Sequence, residues 1–319
     1  MKKDFVSLAS FSAENIDEIF SLTRWMKEER PPLFRPLANK TAALIFEKPS
    51  LRTRISFEVG ILQLGGRSIF LSDHNIGLAS REEVRDAAEV VSRYNDLIVA
   101  RTFAHRSVEE LARYASVPVI NALTDLLHPC QVLADAYTLL ERGSLAPTTK
   151  VAYIGDGNNV ANSWVELAEK LPFHFVLACP EGYEPHPEIL DRARASGVSQ
   201  IEVVRDPFEA AEGADVLYTD VWVSMGRENE KELRRKVFGS YQINSALLTA
   251  AHPACIVMHC LPAHRGEEIA ADVLEGPHSI VLEEAENRLH VQKGIIAFLL
   301  GERSSRSSKR RTESEVVLA

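Results

Sequence analysis

Nine short, almost wholly apolar runs punctuate this chain, and segments of helical period separate them. "TAALIF", "RSIFL", "DLIVA" and "VPVIN" follow an opening helical stretch near Glu14–Arg30; "KVAYIG", "FHFVLA", "IEVV", "ADVLYT" and "ACIVMH" form a second set. Runs that are apolar nearly throughout predict strands covered by helices on both faces of a sheet. Between them apolar residues recur at three- and four-residue steps, as at Ile55, Val59 and Leu62, which share one helical face. Strand–helix alternation of this kind builds parallel sheets. The fold class is therefore α/β, with two lobes, each a parallel sheet flanked by helices.

A length of 319 residues suits two cores better than one. "RGSLAPTTK" interrupts both periodicities with Gly, Pro and Thr, dividing a first domain, residues 1–142, from a second, residues 150–284. The helix starting near His128 is expected to bridge them. A last helix, from about Ala285 to Leu300, is apolar at Ala285, Leu289 and Ile296, and segment 285–301 is expected to pack back on the first lobe. Residues 302–319 read as a disordered tail; the five basic residues between Arg303 and Arg311 belong to a solvated segment.

A net charge of −9 argues against a general nucleic-acid binder but allows a small anion held by local arginines. The start, "MKKDFVSLAS", has a basic pair without an apolar run behind it, so no secretory signal is expected. No run reaches the ~18 apolar residues of a membrane helix. Cys130, Cys179, Cys255 and Cys260 lie far apart without metal spacing. They read as reduced thiols of a cytoplasmic protein, with no metal and no cofactor expected.

Open parallel sheets bind ligands at the carboxyl ends of their strands, and the unusual residues of this chain fall there six times. "EKPSLRTR" follows the first strand, Arg101 the third and "HPCQ" the fourth; "GDGNN", "DVWVSMG" and "CLPAHR" follow strands of the second set. Ser50 is a good N-cap, which puts Leu51, Arg52 and Thr53 in the first turn of a helix. Arg52 and Arg54 beside a positive dipole end call for an anion. Pro129 fits the first position of another helix, leaving His128 just outside and Gln131 in the first turn. His128 could donate to a carbonyl oxygen and Gln131 accept from an amide nitrogen. "GDGNN" offers GxG without a third glycine or a placed ribose-binding acid, so Asn158 and Asn159 read instead as amides facing a small polar ligand. Trp222 and Met225 carry two readings, core packing and a loop over a ligand.

Together these clusters resemble the aspartate/ornithine carbamoyltransferase family, and within it the ornithine branch, over nearly the whole chain to about Gly301. "SLRTR" is similar to its phosphate-binding motif and "HPCQ" to its carbamoyl-binding motif, while "DVWVSMG" and "HCLPAHRGEE" are similar to loops that mark the ornithine branch. The resemblance implies transfer of the carbamoyl group from carbamoyl phosphate to the δ-amine of L-ornithine, giving L-citrulline and phosphate. Domain 1–142 would bind carbamoyl phosphate and domain 150–284 ornithine. Ser50, Leu51, Arg52, Thr53 and Arg101 would surround the phosphate. His128, Gln131 and Arg52 would contact the carbamoyl group, with Cys260, the backbone of Leu261 and Arg288 closing from the second lobe. Asn159, Asp220, Ser224 and Met225 would hold ornithine. Arg52, His128 and Cys260 carry the catalytic expectations: two donors for a developing oxyanion, and a thiol facing Asp220 across the cleft that receives or relays the amine proton. A homotrimer serving arginine biosynthesis is implied, with no nucleic acid or membrane partner.

Three departures from the family pattern stand out. Leu51 replaces a usual threonine, Gly77 stands where a glutamine or histidine often reaches the neighbouring subunit's phosphate, and Ala79 replaces a frequent glycine. The cross-subunit contact is therefore not carried over; Lys48 or Arg81 could compensate. Other acceptors (putrescine or an N-acylated ornithine), a nicotinamide-dependent dehydrogenase and a non-catalytic homologue are the alternatives.

Overall fold

The structure is a computed structural model that describes residues 2–29, 32–72, 82–223 and 228–302. The expectations for Gly77, Ala79, Arg81, Ser224, Met225 and the tail from residue 303 lie outside the described residues. The chain forms two compact units, Met1–Thr124 with Arg288–Ala319, and Asp125–Asn287.

In the first unit, β1 (Thr41–Phe46), β2 (Arg67–Ser72), β3 (Leu97–Arg101) and β4 (Val119–Leu123) form a parallel sheet of order β2-β1-β3-β4. β3 and β4 are buried along their whole length, as their unbroken apolar runs require. Its helices are α1 (Ala13–Glu28), α2 (Leu51–Gln63), α3 (Val84–Tyr94) and α4 (His105–Tyr114). Ser12 caps α1 by accepting from the Asn15 N–H at 3.3 Å, and Glu14 sits in its first turn.

α2 carries its shared apolar face away from the core of its unit. Its buried residues are Thr53, Phe57, Gly60 and Ile61, whereas Leu51, Ile55 and Leu62 are 71%, 49% and 69% exposed. The Ile55–Val59–Leu62 face follows a helical period, but it is not the face that enters the core. Periodicity shows that a face is apolar, not what covers it.

In the second unit, β5 (Lys150–Ile154), β6 (His174–Ala178), β7 (Gln200–Val204), β8 (Val216–Thr219) and β9 (Ile256–His259) form a parallel sheet of order β7-β6-β5-β8-β9. α5 (Pro129–Glu141), α6 (Asn159–Ala168), α7 (Pro187–Ser196), α8 (Pro207–Ala211), α9 (Lys231–Val237), α10 (Ser245–Ala250) and α11 (Ala271–Leu274) accompany it. Trp164 stacks on Phe175, and Tyr153 on Tyr218 with ring centroids 5.4 Å apart, so β5, β6, β8 and α6 share an aromatic core.

The last helix, α12, runs Val281–Leu299 and begins four residues before the expected Ala285. Its acidic first turn, Glu283 and Glu284, obscures the helical start in an apolar count but suits the positive end of the dipole. From Arg288 onward it belongs to the first unit and packs there. A Cβ on Gly294 would come 2.1 Å from Thr23 Oγ1 and 2.9 Å from the Ile19 carbonyl, so only glycine lets α12 lie this close to α1. No described helix is long and apolar enough to cross a membrane.

Candidate active site

Two sets of functional side chains emerge, one in each unit. In the first unit they collect where β1 ends and α2 begins. Ser50 caps α2 and accepts from the Thr53 N–H at 3.2 Å, which places Leu51, Arg52 and Thr53 in the first turn as the sequence predicts. That turn holds no acid. Exposed N–H groups at a helix start, without a carboxylate to answer them, form an anion site.

Arg52 and Arg54 separate here. Arg54 points along the solvated face, pairs with Glu58 at 2.9 Å and stacks over Phe70 at 3.8 Å. Arg52 is half-buried, has no ion pair among the described residues, and its Nε is buried without a hydrogen-bond partner. Of the two, Arg52 is the one whose guanidinium has no counter-ion among the described residues.

Arg101, buried at the carboxyl end of β3, sits in register beside Phe46 at the end of β1. Buried Lys48 lies on the same β1–α2 connection, with its ammonium 4.6 Å over the Phe103 ring. Arg288 belongs to the first unit rather than closing from the second. It is buried on α12 and its Nη2 donates to Thr53 Oγ1 at 2.8 Å, bracing the first turn of α2. The Leu51 side chain is exposed, while its backbone N–H lies in the first turn of α2.

In the second unit, His128 precedes α5, with Pro129 at the first helical position. It is the N-cap residue, but its side chain makes no cap bond; it is buried, and its backbone N–H donates to Ser163 Oγ at 2.8 Å. One turn on, the Gln131 amide nitrogen donates to Asp135 Oδ1 at 2.7 Å and Glu284 Oε1 at 3.3 Å. Its Oε1 is buried without a partner.

At the ends of β8 and β9, Cys260 Sγ donates to Asp220 Oδ1 at 3.0 Å. The pair sits on neighbouring strand ends of one unit, not across a cleft. Burial, reinforced by the Asp220 charge, pushes the thiol well above the ordinary cysteine range, so Cys260 rests protonated. Asp220 also accepts from the Val221 N–H and from Asn158 Nδ2, both at 2.8 Å.

Asn158 is thereby corrected from a ligand-reading amide to a structural one. Its Oδ1 caps α6 by accepting from Val160 and Ala161 and receives the Tyr153 hydroxyl at 3.1 Å. Asn159 sits half-buried in the first turn of α6. The glycines of "GDGNN" also have a packing explanation: a Cβ on Gly157 would meet the Glu184 carbonyl carbon at 2.3 Å. Trp222 takes its core reading, buried and stacked against Phe238, and its carbonyl accepts from buried Arg234 at 2.8 Å.

Leu261 adopts φ 55° and donates its N–H to His259 Nδ1 at 2.9 Å. That bond leaves His259 Nε2 protonated toward Glu268 Oε1, 3.0 Å away. Asp220, His259 and Cys260 bring ligand-type atoms within 4.8 Å of one another. Both histidine nitrogens and the thiol proton are already committed, so these donors suit the present hydrogen bonds better than a cation. Asp135 and Glu284 went unread in the sequence because each sits on an ordinary helical face, and Glu268 because it lies beside a stronger motif.

Comparison with known proteins decides the family. The model for the carbamoyl-P binding domain of aspartate/ornithine carbamoyltransferases matches residues 3–141, and that for the Asp/Orn binding domain matches residues 148–299. The chain belongs to the aspartate/ornithine carbamoyltransferase family. The ornithine carbamoyltransferase of Chlorobaculum tepidum is 54% identical over 94% of this chain and 90% of its own length. The structure of ornithine carbamoyltransferase from Pyrococcus furiosus superposes with a TM-score of 0.89 at 46% identity, covering 94% of this chain and 97% of that one. The anabolic ornithine carbamoyltransferase of Campylobacter jejuni also gives a TM-score of 0.89, at 41% identity over 93% of this chain and 98% of that one. The first turn of α2 lies on the part matched to the carbamoyl-P model, and Asp220 and Cys260 on the part matched to the Asp/Orn model.

Proposed function

We infer that this chain transfers the carbamoyl group of carbamoyl phosphate to the δ-amine of L-ornithine, giving L-citrulline and phosphate. The observation that carries the reading is Arg52, a half-buried guanidinium with no ion pair among the described residues, in an acid-free first helical turn. A doubly negative leaving group answers what that turn lacks. Ser50, the Leu51 N–H, Thr53 and Arg101 complete the phosphate contacts, and Arg288 holds Thr53 in place.

The neutral δ-amine attacks the carbonyl carbon, forming the new C–N bond and placing negative charge on oxygen. Arg52 and His128 stabilise that charge, each well-aimed donor contributing roughly 2.7–4 kcal/mol. The C–O bond to phosphate then breaks, and phosphate leaves with the electron pair toward Arg52 and Arg101. Holding amine and acyl group together can supply as much as ~7–11 kcal/mol.

Asp220, with Asn159, Ser224 and Met225, receives ornithine, its carboxylate attracting an ammonium. Because Cys260 rests protonated against Asp220, it serves as a contact and relay, with the carboxylate as the end acceptor of the amine proton. The Gln131 Oε1 accepts from the carbamoyl NH2.

The exposed apolar face of α2, continued on the edge strand β2 by Ile69, supports self-association, and we propose the homotrimer. The four free, buried cysteines fit a reducing cytoplasm, and the anabolic relative favours a place in arginine biosynthesis.

Acceptor competition tests the substrate. At fixed carbamoyl phosphate, ornithine should outperform putrescine and N-acetylornithine; preference for either of the others would defeat the assignment.

A further inference from the structure

Gln131 is held by two carboxylates. A carboxylate can only accept, so the amide must turn its nitrogen toward both Asp135 and Glu284, and the 2.7 and 3.3 Å contacts use its two protons. Each acid is anchored from its far side. Asp135 Oδ2 accepts from the Tyr218 hydroxyl at 2.8 Å. Burial, together with the Asp135 charge, pushes Tyr218 well above the ordinary tyrosine range, which keeps that hydroxyl a donor. Glu284 Oε2 accepts from the His259 N–H at 3.0 Å. The polarity of the amide is thus locked, and its one remaining polar atom, Oε1, is a buried acceptor without a donor.

We propose that Asp135 and Glu284 are positioning residues that fix the Gln131 amide oxygen-outward and thereby make the site select a carbamoyl group over an isosteric acetyl group. The proposal rests on the reading of carbamoyl phosphate as substrate. A carbamoyl NH2 satisfies Oε1. An acetyl CH3 leaves it buried and unpaired, the situation in which polar sites discriminate most strongly. A flipped amide would present NH2 to the ligand and lose this preference. The groups that lock the amide lie on α5, β8, β9 and α12.

The test uses the full-length enzyme with Glu284→Gln, close to isosteric, and Asp135→Asn as a second variant. Either neutral amide can donate as well as accept, which frees Gln131 to turn. The readouts are KM for carbamoyl phosphate and the inhibition constants of acetyl phosphate and inorganic phosphate against it. The expected result is a rise in KM of about tenfold, with both inhibition constants within about twofold of wild type, so that selectivity falls about tenfold. An unchanged selectivity ratio in Glu284→Gln, or inorganic phosphate weakening in parallel, would overturn the proposal. So would a wild-type enzyme that binds acetyl phosphate as tightly as carbamoyl phosphate. Absence of citrulline from the wild type would instead sink the underlying functional reading.

Discussion

Cys260 Sγ stands 3.0 Å from Asp220 Oδ1 and donates a hydrogen bond to it. A buried thiol beside a carboxylate is a poor thiolate, so the carboxylate dominates this end of the second unit. Asp220→Asn should raise KM for ornithine by about 10- to 100-fold, the scale of one charged hydrogen bond, while the inhibition constant of inorganic phosphate stays near wild type. Cys260→Ser keeps a donor to Asp220 and should raise the ornithine requirement less. Steady-state kinetics with each substrate varied in turn checks the split; equal loss of both affinities would contradict it.

Asn158 joins a helix cap to the ligand-facing carboxylate, and the two jobs can be separated. Asn158→Ala loses both, costing about 1 kcal/mol from the cap and lowering Tm by roughly 2–4 °C. Asn158→Ser retains a capping oxygen but cannot reach Asp220. Thermal melts should place serine nearer wild type than alanine, whereas ornithine KM should rise in both. A serine variant with wild-type KM would remove Asn158 from the ornithine side.

Both sheets and the starts of α2 and α5 were legible in the sequence because unbroken apolar runs, the Ser50 cap and Pro129 leave local marks. What α2 does with its apolar residues was not. Ile55, Val59 and Leu62 obey the helical period, but coverage depends on what surrounds the helix. Arg52 and Arg54 look alike in "SLRTR"; only the fold turns Arg54 to Glu58 and Phe70 and leaves Arg52 without a counter-ion among the described residues. Asn158 looked like a ligand group because capping depends on where α6 starts. Asp135 and Glu284 lie 149 positions apart, and no local pattern marks two acids that meet on one amide.

Three buried thiols shape the alkaline limb of stability. Burial pushes Cys179 and Cys255 each up to about 12 and Cys260 well above its ordinary range. The unfolded chain releases these protons near pH 9 while the folded chain retains them. The folded state therefore binds more protons in this window, and stability is lost as pH rises from about 9 toward 12. Tm measured across that range should fall, and the fall should shrink in Cys179→Ala compared at equal starting stability. A flat profile would contradict the burial of these groups.

The central claim is that one unanswered arginine, not its neighbour two residues on, receives the leaving phosphate. Product analysis tests it most directly: carbamoyl phosphate and ornithine are supplied, and citrulline and phosphate are quantified for wild type, Arg52→Ala and Arg54→Ala. The account predicts equimolar citrulline and phosphate from wild type, near-wild-type turnover from Arg54→Ala, and loss of turnover from Arg52→Ala in a chain that still melts cooperatively. Turnover retained by folded Arg52→Ala, or no ornithine-dependent citrulline from wild type, would contradict it.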